Sequence, residues 1–237
     1  MTILLFQDAP MLKDMNAAVI KTGTFEDTPY AILDQTVFYP TSGGQAGDTG
    51  TLTWSGKSVH VIDTRKSPDG VMHLLDGAAP AVGTEVRGQL DWERRWAHMR
   101  LHTSMHLLCA CIDNDVTGGR IGADKAHLDF DLEHAPDKQA LNDKLSALVA
   151  ADHPITVQWE DDLSAVAHLV RTADKTPPQT DGAIRLVRIG ADEPPVDLQP
   201  CGGTHVARTS EIGAVHVKKI ENKGKRNRRV ILTLAGA

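Results

Sequence analysis

Residues 91–112 read DWERRWAHMRLHTSMHLLCACI, and the interpretation of the whole chain depends on this stretch. Apolar residues recur in it at steps of three and four, and neither proline nor glycine occurs before Gly118, which predicts one long helix. The residues of this apolar stripe are Trp92, Trp96, Met99, Leu101, Met105, Leu108 and Ile112. The sequence before Asp91 has a different character, so the helix marks the start of a second domain.

On the N-terminal side, short strand-like runs alternate with glycine- and proline-containing turns, a spacing typical of a small barrel or sandwich. AAVIKTGTF at 17–25 and TEVRGQL at 84–90 are two such runs, and PTSGGQAGDTG at 40–50 is the most glycine-rich turn region. Residues 1–90 are therefore predicted to form a small, glycine-rich, β-barrel-like domain.

On the C-terminal side, strands and helices alternate, which predicts an α+β domain over residues 91–237. Strands are predicted at AHLDFDL (126–132), ITVQWE (155–160) and IRLVRI (184–189), a helix is predicted to open at Pro136, and TPPQTDG (176–182) is predicted to be a loop. AVHVKKI (214–220) and RRVILTL (228–234) predict a closing hairpin. The expected architecture is an antiparallel sheet packed against long helices.

Bulk composition excludes several classes of protein. No apolar run approaches the roughly 18 residues that a membrane span requires, and the N-terminus MTILLFQDAP has no signal-peptide pattern, so a cytoplasmic protein is expected. The three cysteines, Cys109, Cys111 and Cys201, are too few and odd in number for a disulfide framework, which leaves thiols available as metal ligands.

The charge of the chain is unevenly distributed. Residues 216–230 contain seven Lys and Arg against the single acid Glu221, so a segment of charge +6 stands in a chain of net charge -6. A basic end on an acidic body favours docking of a polyanion in one orientation, although a solvated basic surface is the plain alternative.

Two pairs of residues have the chemistry of metal ligands. His102 and His106 lie four residues apart in the predicted helix, so both rings project from one face about one turn apart. Cys201 and His205 stand in PCGGTH, where the glycine pair favours a tight turn. One thiolate and three imidazoles form a donor set well suited to tetrahedral zinc.

Three motifs of the chain carry a family resemblance. RLHTSMHLL (100–108) and the run that begins CGGTH at Cys201 resemble the two metal-binding halves of the alanyl-tRNA synthetase editing domain, and VFYPTSGGQAGDTGTL (37–52) resembles the glycine-rich motif that precedes that domain. The threonyl-tRNA synthetase editing domain shares only the metal motifs. The chain therefore resembles the free-standing alanyl-tRNA editing proteins of the medium-length AlaX type.

The resemblance implies a zinc-dependent hydrolase that removes serine, and secondarily glycine, from alanine tRNA. It implies that His102, His106, Cys201 and His205 bind Zn²⁺, and that Gly43, Gly44 and Gln45 lie near the tRNA acceptor end, with Gln45 catalytic. Thr103 either faces the pocket as a catalytic hydroxyl or bonds back to its own helix. The expected phosphate contacts are Lys218, Lys219, Lys225, Arg226, Arg228 and Arg229.

Two other functions compete with this one. Gly43-Gly44-Gln45 repeats the tripeptide with which release factors hydrolyse peptidyl-tRNA, which predicts a peptidyl-tRNA hydrolase. A non-catalytic tRNA-binding module with a structural zinc is the alternative from a different class. The other histidines have no partner at ligand spacing and are predicted to lie on the surface.

Overall fold

Strands form most of the regular structure, which a computed structural model describes over residues 2–171, 179–180 and 182–235. The strands are β1 (Ile3–Leu4), β2 (Asp14–Phe25), β3 (Thr28–Leu33), β4 (Gln35–Thr36), β5 (Gly50–Trp54), β6 (Lys57–Ser67), β7 (Gly70–Leu75), β8 (Glu85–Leu90), β9 (Val116–Ile121), β10 (Ala126–Asp131), β11 (Ile155–Glu160), β12 (Gln179–Thr180), β13 (Ala183–Ile189), β14 (Asp197–Pro200), β15 (Val215–Asn222) and β16 (Asn227–Leu234). The helices are α1 (Leu5–Asp8), α2 (Trp92–Cys111), α3 (Lys138–Ala150), α4 (Leu163–Val166) and the 3₁₀ turns Ala167–Leu169 and Thr209–Ile212.

Two structural units divide the chain, Met1–Trp96 and Ala97–Ala237. The division falls inside helix α2. The division into two domains at residue 90 stays a prediction. Among the helices of the described residues, none has the length and apolar character that crossing a membrane requires.

The first unit is a closed antiparallel barrel of six strands in the order β2-β3-β7-β6-β5-β8, which confirms the predicted barrel. Its strands alternate between inward apolar and outward polar residues, as β8 does with Val86 and Leu90 buried and Glu85 and Gln89 exposed. Inward side chains such as Phe38 and Leu52 fill the interior. Closure leaves the six strands without an open edge.

A buried ion pair holds the glycine-rich stretch within this unit. The Arg95 guanidinium donates through Nε to Asp48 Oδ2 at 2.9 Å and through Nη1 to the Pro10 carbonyl at 3.0 Å, and both charged side chains are almost fully buried. Asp48 also accepts the main-chain N–H of Tyr39 at 2.6 Å. Because several hydrogen bonds compensate each buried charge, the pair fixes residues around Asp48 against the barrel.

The second unit contains two antiparallel sheets. One has the order β15-β16-β10-β9, and the other has the order β11-β13-β12 with β14 also paired to β13. The predicted closing hairpin is confirmed, since β15 pairs with β16 from Val215↔Leu234 to Asn222↔Arg228. Helix α3 lies against β15, where the Asn142 side chain accepts the N–H of Val217 at 2.8 Å.

The expectation of several long helices is wrong. In the described part of the chain, α2 has 20 residues, α3 has 13, and α1 and α4 have four each. After Ala150 the chain carries β-branched runs punctuated by proline and glycine, which favour short strands. Pro136 precedes α3, and the helix is capped by Asp137, whose side chain accepts the N–H of Ala140. Residues 176–178 and 181 of the predicted loop lie outside the described residues.

Candidate metal centre

Four buried donors from two distant parts of the second unit meet at one point. Helix α2 supplies His102 and His106, and the loop after β14 supplies Cys201 and His205. One potential ligand atom from each residue lies within 4.8 Å of the others. The Cys201 Sγ is 3.4 Å from His102 Nε2 and 3.3 Å from His205 Nε2. The spatial convergence that the two sequence motifs require is therefore present.

The donor set and its two Cys201–histidine distances fit a tetrahedral metal ion. Zinc bonds of about 2.3 Å to sulfur and about 2.0–2.1 Å to nitrogen imply a sulfur–nitrogen edge of about 3.5 Å in a tetrahedron. The two measured Cys201–histidine distances, 3.4 and 3.3 Å, are close to that edge. A thiolate with three imidazoles belongs to the ligand class of zinc rather than that of magnesium or calcium.

His106 is oriented by a carboxylate that the sequence motifs did not reveal. Its Nδ1 lies 2.8 Å from Asp197 Oδ2 on β14, and both side chains are buried. Because a carboxylate accepts, Nδ1 carries the proton and Nε2 is left to face the cluster. The only signal for Asp197 in the sequence was its position four residues before Cys201.

His205 is oriented in a similar way by Thr103. The Thr103 hydroxyl donates to the Met99 carbonyl at 2.9 Å, so it can only accept from His205 Nδ1, 3.2 Å away. His205 Nε2 is then directed at Cys201 Sγ. Each histidine is thus oriented by the other part of the chain: Thr103 on helix α2 holds His205 of the loop, and Asp197 on β14 holds His106 of the helix. Thr103 thus bonds back to its helix, and its catalytic role stays a prediction.

The buried environment separates the pKa values of these groups. Burial alone would raise the pKa of the Cys201 thiol, but the His102 and His205 rings lower it well below its usual value, which favours the thiolate. Burial, with the neighbouring His102, lowers the pKa of His205 well below its usual range, which favours the neutral ring that metals bind. Burial also opposes protonation of His106, yet the hydrogen bond from its ring to Asp197 raises its pKa to about 10.

The glycine pair in the first unit forms a tight turn. Ser42 and Gln45 exchange both main-chain hydrogen bonds, at 3.1 and 2.9 Å, and Gly43 and Gly44 between them have φ of +56° and +84°. Two consecutive positive φ values are typical of a type I′ turn, which explains why glycine stands at both positions. The Gln45 side chain is fully buried. Contact of Gly43, Gly44 and Gln45 with the tRNA acceptor end, and a catalytic role of Gln45, stay predictions.

The predicted basic residues of the closing hairpin differ in exposure and pairing. Lys218 and Lys225 are exposed, and Lys219 is exposed beside Glu221 at 2.9 Å. Two arginines pair with acids on β10: Arg226 with Asp131 at 2.8 Å and Arg229 with both oxygens of Asp129 at 2.8 and 2.9 Å. Arg228 is buried and donates to main-chain carbonyls, including those of Gly224 and Glu133. Its contacts favour a structural role.

The prediction that the other histidines lie on the surface is wrong for His73 and His98, which are fully buried. His73 stands on barrel strand β7, where its Nδ1 lies 3.1 Å from the Ala31 carbonyl and its Nε2 lies 2.8 Å from the Thr36 hydroxyl. Local sequence gave no spacing signal for these contacts, because Ala31 on β3 and Thr36 on β4 are 42 and 37 residues away from His73 in the chain.

Comparison with known families matches the two units separately. Residues 10–94 match the model of class II (A) tRNA synthetases, and residues 184–231 match the model of the threonyl and alanyl tRNA synthetase second additional domain. The second match contains Cys201 and His205.

Several named proteins are similar over nearly the whole chain. The alanyl-tRNA editing protein AlaX-M of Methanosarcina barkeri is 37% identical over 98% of both chains, and that of Saccharolobus solfataricus is 31% identical over 99% of both. The alanine–tRNA ligase of Pyrobaculum arsenaticum is 34% identical over 92% of this chain but only 25% of its own length.

Proposed function

Because the chain belongs to the family of AlaX-M alanyl-tRNA editing proteins, we propose that it hydrolyses the ester of mischarged alanine tRNA in trans, acting on serine and also on glycine. The observation that carries the proposal is the meeting of His102, His106, Cys201 and His205 within 4.8 Å. The family gives the class of substrate, and the cluster gives a place for a metal-assisted hydrolysis.

We propose Zn²⁺ as the ion, held by these four side chains. Bound there, zinc would act as a Lewis acid toward the ester carbonyl and toward water. The chain's own contribution is positioning: Asp197 and Thr103 hold the Nδ1 atoms of His106 and His205, so that their Nε2 atoms converge. Against the effect of burial, the neighbouring His102 and His205 lower the pKa of the Cys201 thiol, which favours the thiolate as a ligand.

Selection of serine over alanine follows from the difference of one hydroxyl. An apolar synthetase pocket excludes an added hydroxyl poorly, whereas a second site that hydrogen-bonds the hydroxyl can reject the analogue that lacks it. Glycine would enter because it is small. A hydrolytic site that spares alanine is therefore the expected property of this protein.

Contacts to the tRNA are proposed on the exposed lysines of the closing hairpin, Lys218, Lys219 and Lys225. Arg226 and Arg229 would reach phosphates only in exchange for Asp131 and Asp129, their present partners. Lysines on a surface bind phosphates as point charges, without selecting a sequence. These contacts would orient the tRNA rather than identify it.

A second candidate function, a tRNA-binding module with structural zinc, is favoured by one observation: all four potential ligands are buried protein side chains, as in closed structural sites. The peptidyl-tRNA hydrolase alternative has less support. It requires the Gln45 side chain to reach the substrate, and that side chain is fully buried.

The decisive experiment is incubation of the zinc-loaded protein with seryl-, glycyl- and alanyl-tRNA(Ala), with and without a chelator. We expect hydrolysis of the seryl and glycyl esters, protection of the alanyl ester, and loss of hydrolysis after chelation. Equal breakdown of all three esters would defeat the editing assignment. Binding of tRNA without any hydrolysis would support the structural-zinc alternative.

A further inference from the structure

The loop that carries Cys201 and His205 must be fixed by contacts from outside it. Residues 201–205, called here the ligand loop, form neither helix nor strand. Its first residue continues the pairing of β14 with β13, since the Cys201 N–H donates to the Arg185 carbonyl at 3.0 Å. Beyond that bond, no residue of the ligand loop belongs to a strand of the described chain, so the direction of Cys201 Sγ depends on further contacts.

Arg185 provides two of these contacts through its side chain. Its Nη1 donates to the Cys201 carbonyl at 2.8 Å and to the Gly203 carbonyl at 3.0 Å, and the residue is only 3% exposed. The two carbonyls flank Gly202, so one guanidinium nitrogen spans the first turn of the ligand loop. Charge-assisted hydrogen bonds of this kind are roughly twice as strong as neutral ones and hold geometry well.

The turn that Arg185 spans also directs a donor at the sulfur. The Gly203 N–H points to Cys201 Sγ at 3.4 Å, so the conformation fixed by the two carbonyl contacts supports the thiolate as well. Arginine suits this task because its planar fork is always charged and pre-organised.

We propose that Arg185 is a positioning residue of the metal centre, which clamps the ligand loop so that Cys201 and His205 face the two helix histidines. The proposal deepens the proposed function and rests on it only in taking zinc as the ion. Arg185 touches neither substrate nor metal in this scheme. Its effect passes through the orientation of Cys201 and must therefore be visible in metal binding itself.

The test compares Arg185→Lys with the parent and with the matched control Arg188→Lys. Arg188 lies on the same strand and also donates to loop carbonyls, those of Gly190 at 3.0 Å and Asp192 at 2.7 Å. Within the described part of the chain, none of its hydrogen bonds reaches the ligand loop. Zinc affinity is measured by competition with a chelator, and the cobalt-substituted proteins are compared by their thiolate-to-cobalt charge-transfer absorbance.

We expect Arg185→Lys to bind zinc about 10- to 100-fold more weakly, the range typical when a residue supporting a ligand is lost. Its charge-transfer band should weaken or shift, because the sulfur is no longer held in one orientation. Arg188→Lys should match the parent in both measurements. Arg185→Met, which removes the charge as well, should lose at least as much affinity.

Two results would overturn the proposal. One is an Arg185→Lys protein with the affinity and cobalt spectrum of the parent. The other is a variant that does not fold even in saturating zinc, because Arg185 would then belong to the core of the sheet. Failure of the proposed function is distinguishable from both, since it would appear as a parent protein that binds no zinc or hydrolyses no ester.

Discussion

Histidines are buried in both units, and their hydrogen bonds distinguish two kinds of site. In the barrel, the protein engages both ring nitrogens of His73 through Ala31 and Thr36. In the second unit, Asp197 and Thr103 each engage only Nδ1 of His106 and His205, and the Nε2 atoms turn toward Cys201. Burial by itself therefore does not mark a ligand. A buried histidine indicates a metal site when the protein holds one nitrogen and directs the other at further donors.

The largest expected effect comes from removing the sulfur around which the Nε2 atoms gather. Cys201→Ala should abolish stoichiometric zinc binding. It should also reduce deacylation of seryl-tRNA(Ala) by more than about 100-fold, the upper end of the loss expected when a residue that only supports a ligand is removed. Zinc content and single-turnover hydrolysis measure the two effects. Cys111→Ala is the matched control, because its half-buried thiol lies outside the cluster.

The same variant separates catalysis from structure. A folded Cys201→Ala protein without activity supports the enzyme, whereas loss of fold together with metal supports the structural-zinc module. Retention of one tightly bound zinc by the folded variant would contradict the assigned ligand set.

The sequence predicted those parts of the site that local geometry fixes. His102 and His106 share a face because a helix repeats every 3.6 residues, and the Gly43-Gly44 turn follows from positive φ at both positions. Asp197 and Arg185 could not be predicted in this way. Asp197 meets His106 across 91 residues, and Arg185 meets the ligand loop only because β13 and β14 pair in one register.

The fold shows a similar limit. The barrel was predictable because alternation of apolar and polar residues marks each strand by itself. The length of the second helix was not, since apolar spacing predicts the buried face of a helix but not its last residue, and α3 ends at Ala150 after 13 residues. The buried position of His73 was missed because its partners Ala31 and Thr36 lie on other strands.

The next largest effect concerns His73 in the barrel, the histidine whose two ring nitrogens are both hydrogen-bonded by the protein. Burial lowers the pKa of His73 to about 4, although main-chain hydrogen bonds oppose the shift. An unfolded histidine titrates near 6.5, so between pH 6.5 and pH 4 the unfolded state binds a proton that the folded state excludes. Stability is therefore lost as the pH falls through this window, by about 3 kcal/mol for the whole interval.

Urea unfolding of the parent and of His73→Asn, measured from pH 7 to pH 4, checks this expectation. The variant should be less stable at pH 7 because its shorter side chain cannot reach both partners, but the difference between the two proteins should shrink toward pH 4. A difference that stays constant with pH would show that His73 is not held neutral.

A smaller effect is expected from changing Asp197, whose carboxylate contacts His106 only at Nδ1. Asp197→Asn keeps the shape but loses the charge that orients the ring, so zinc affinity should fall about 10- to 100-fold while the fold is retained. Chelator competition measures the change. Gln199→Leu is the control, since Gln199 contacts Asp197 Oδ2 at 2.8 Å without touching the ring, and it should cost less than Asp197→Asn. Equal losses would assign the effect to packing around β14 instead.

The smallest effect belongs to Thr103, and it decides between the two roles predicted for this residue. Its hydroxyl accepts from His205 Nδ1 as a neutral hydrogen bond, which is worth about 1 kcal/mol, so Thr103→Val should weaken zinc binding about fivefold. If positioning is the whole role, saturating zinc restores deacylation to the parent rate, and Thr103→Ser, which keeps the hydroxyl, behaves as the parent throughout. If Thr103 is instead a catalytic hydroxyl, Thr103→Val stays slow at saturating zinc while Thr103→Ser is active. The zinc dependence of the single-turnover rate therefore distinguishes a residue that holds a ligand from one that touches the substrate.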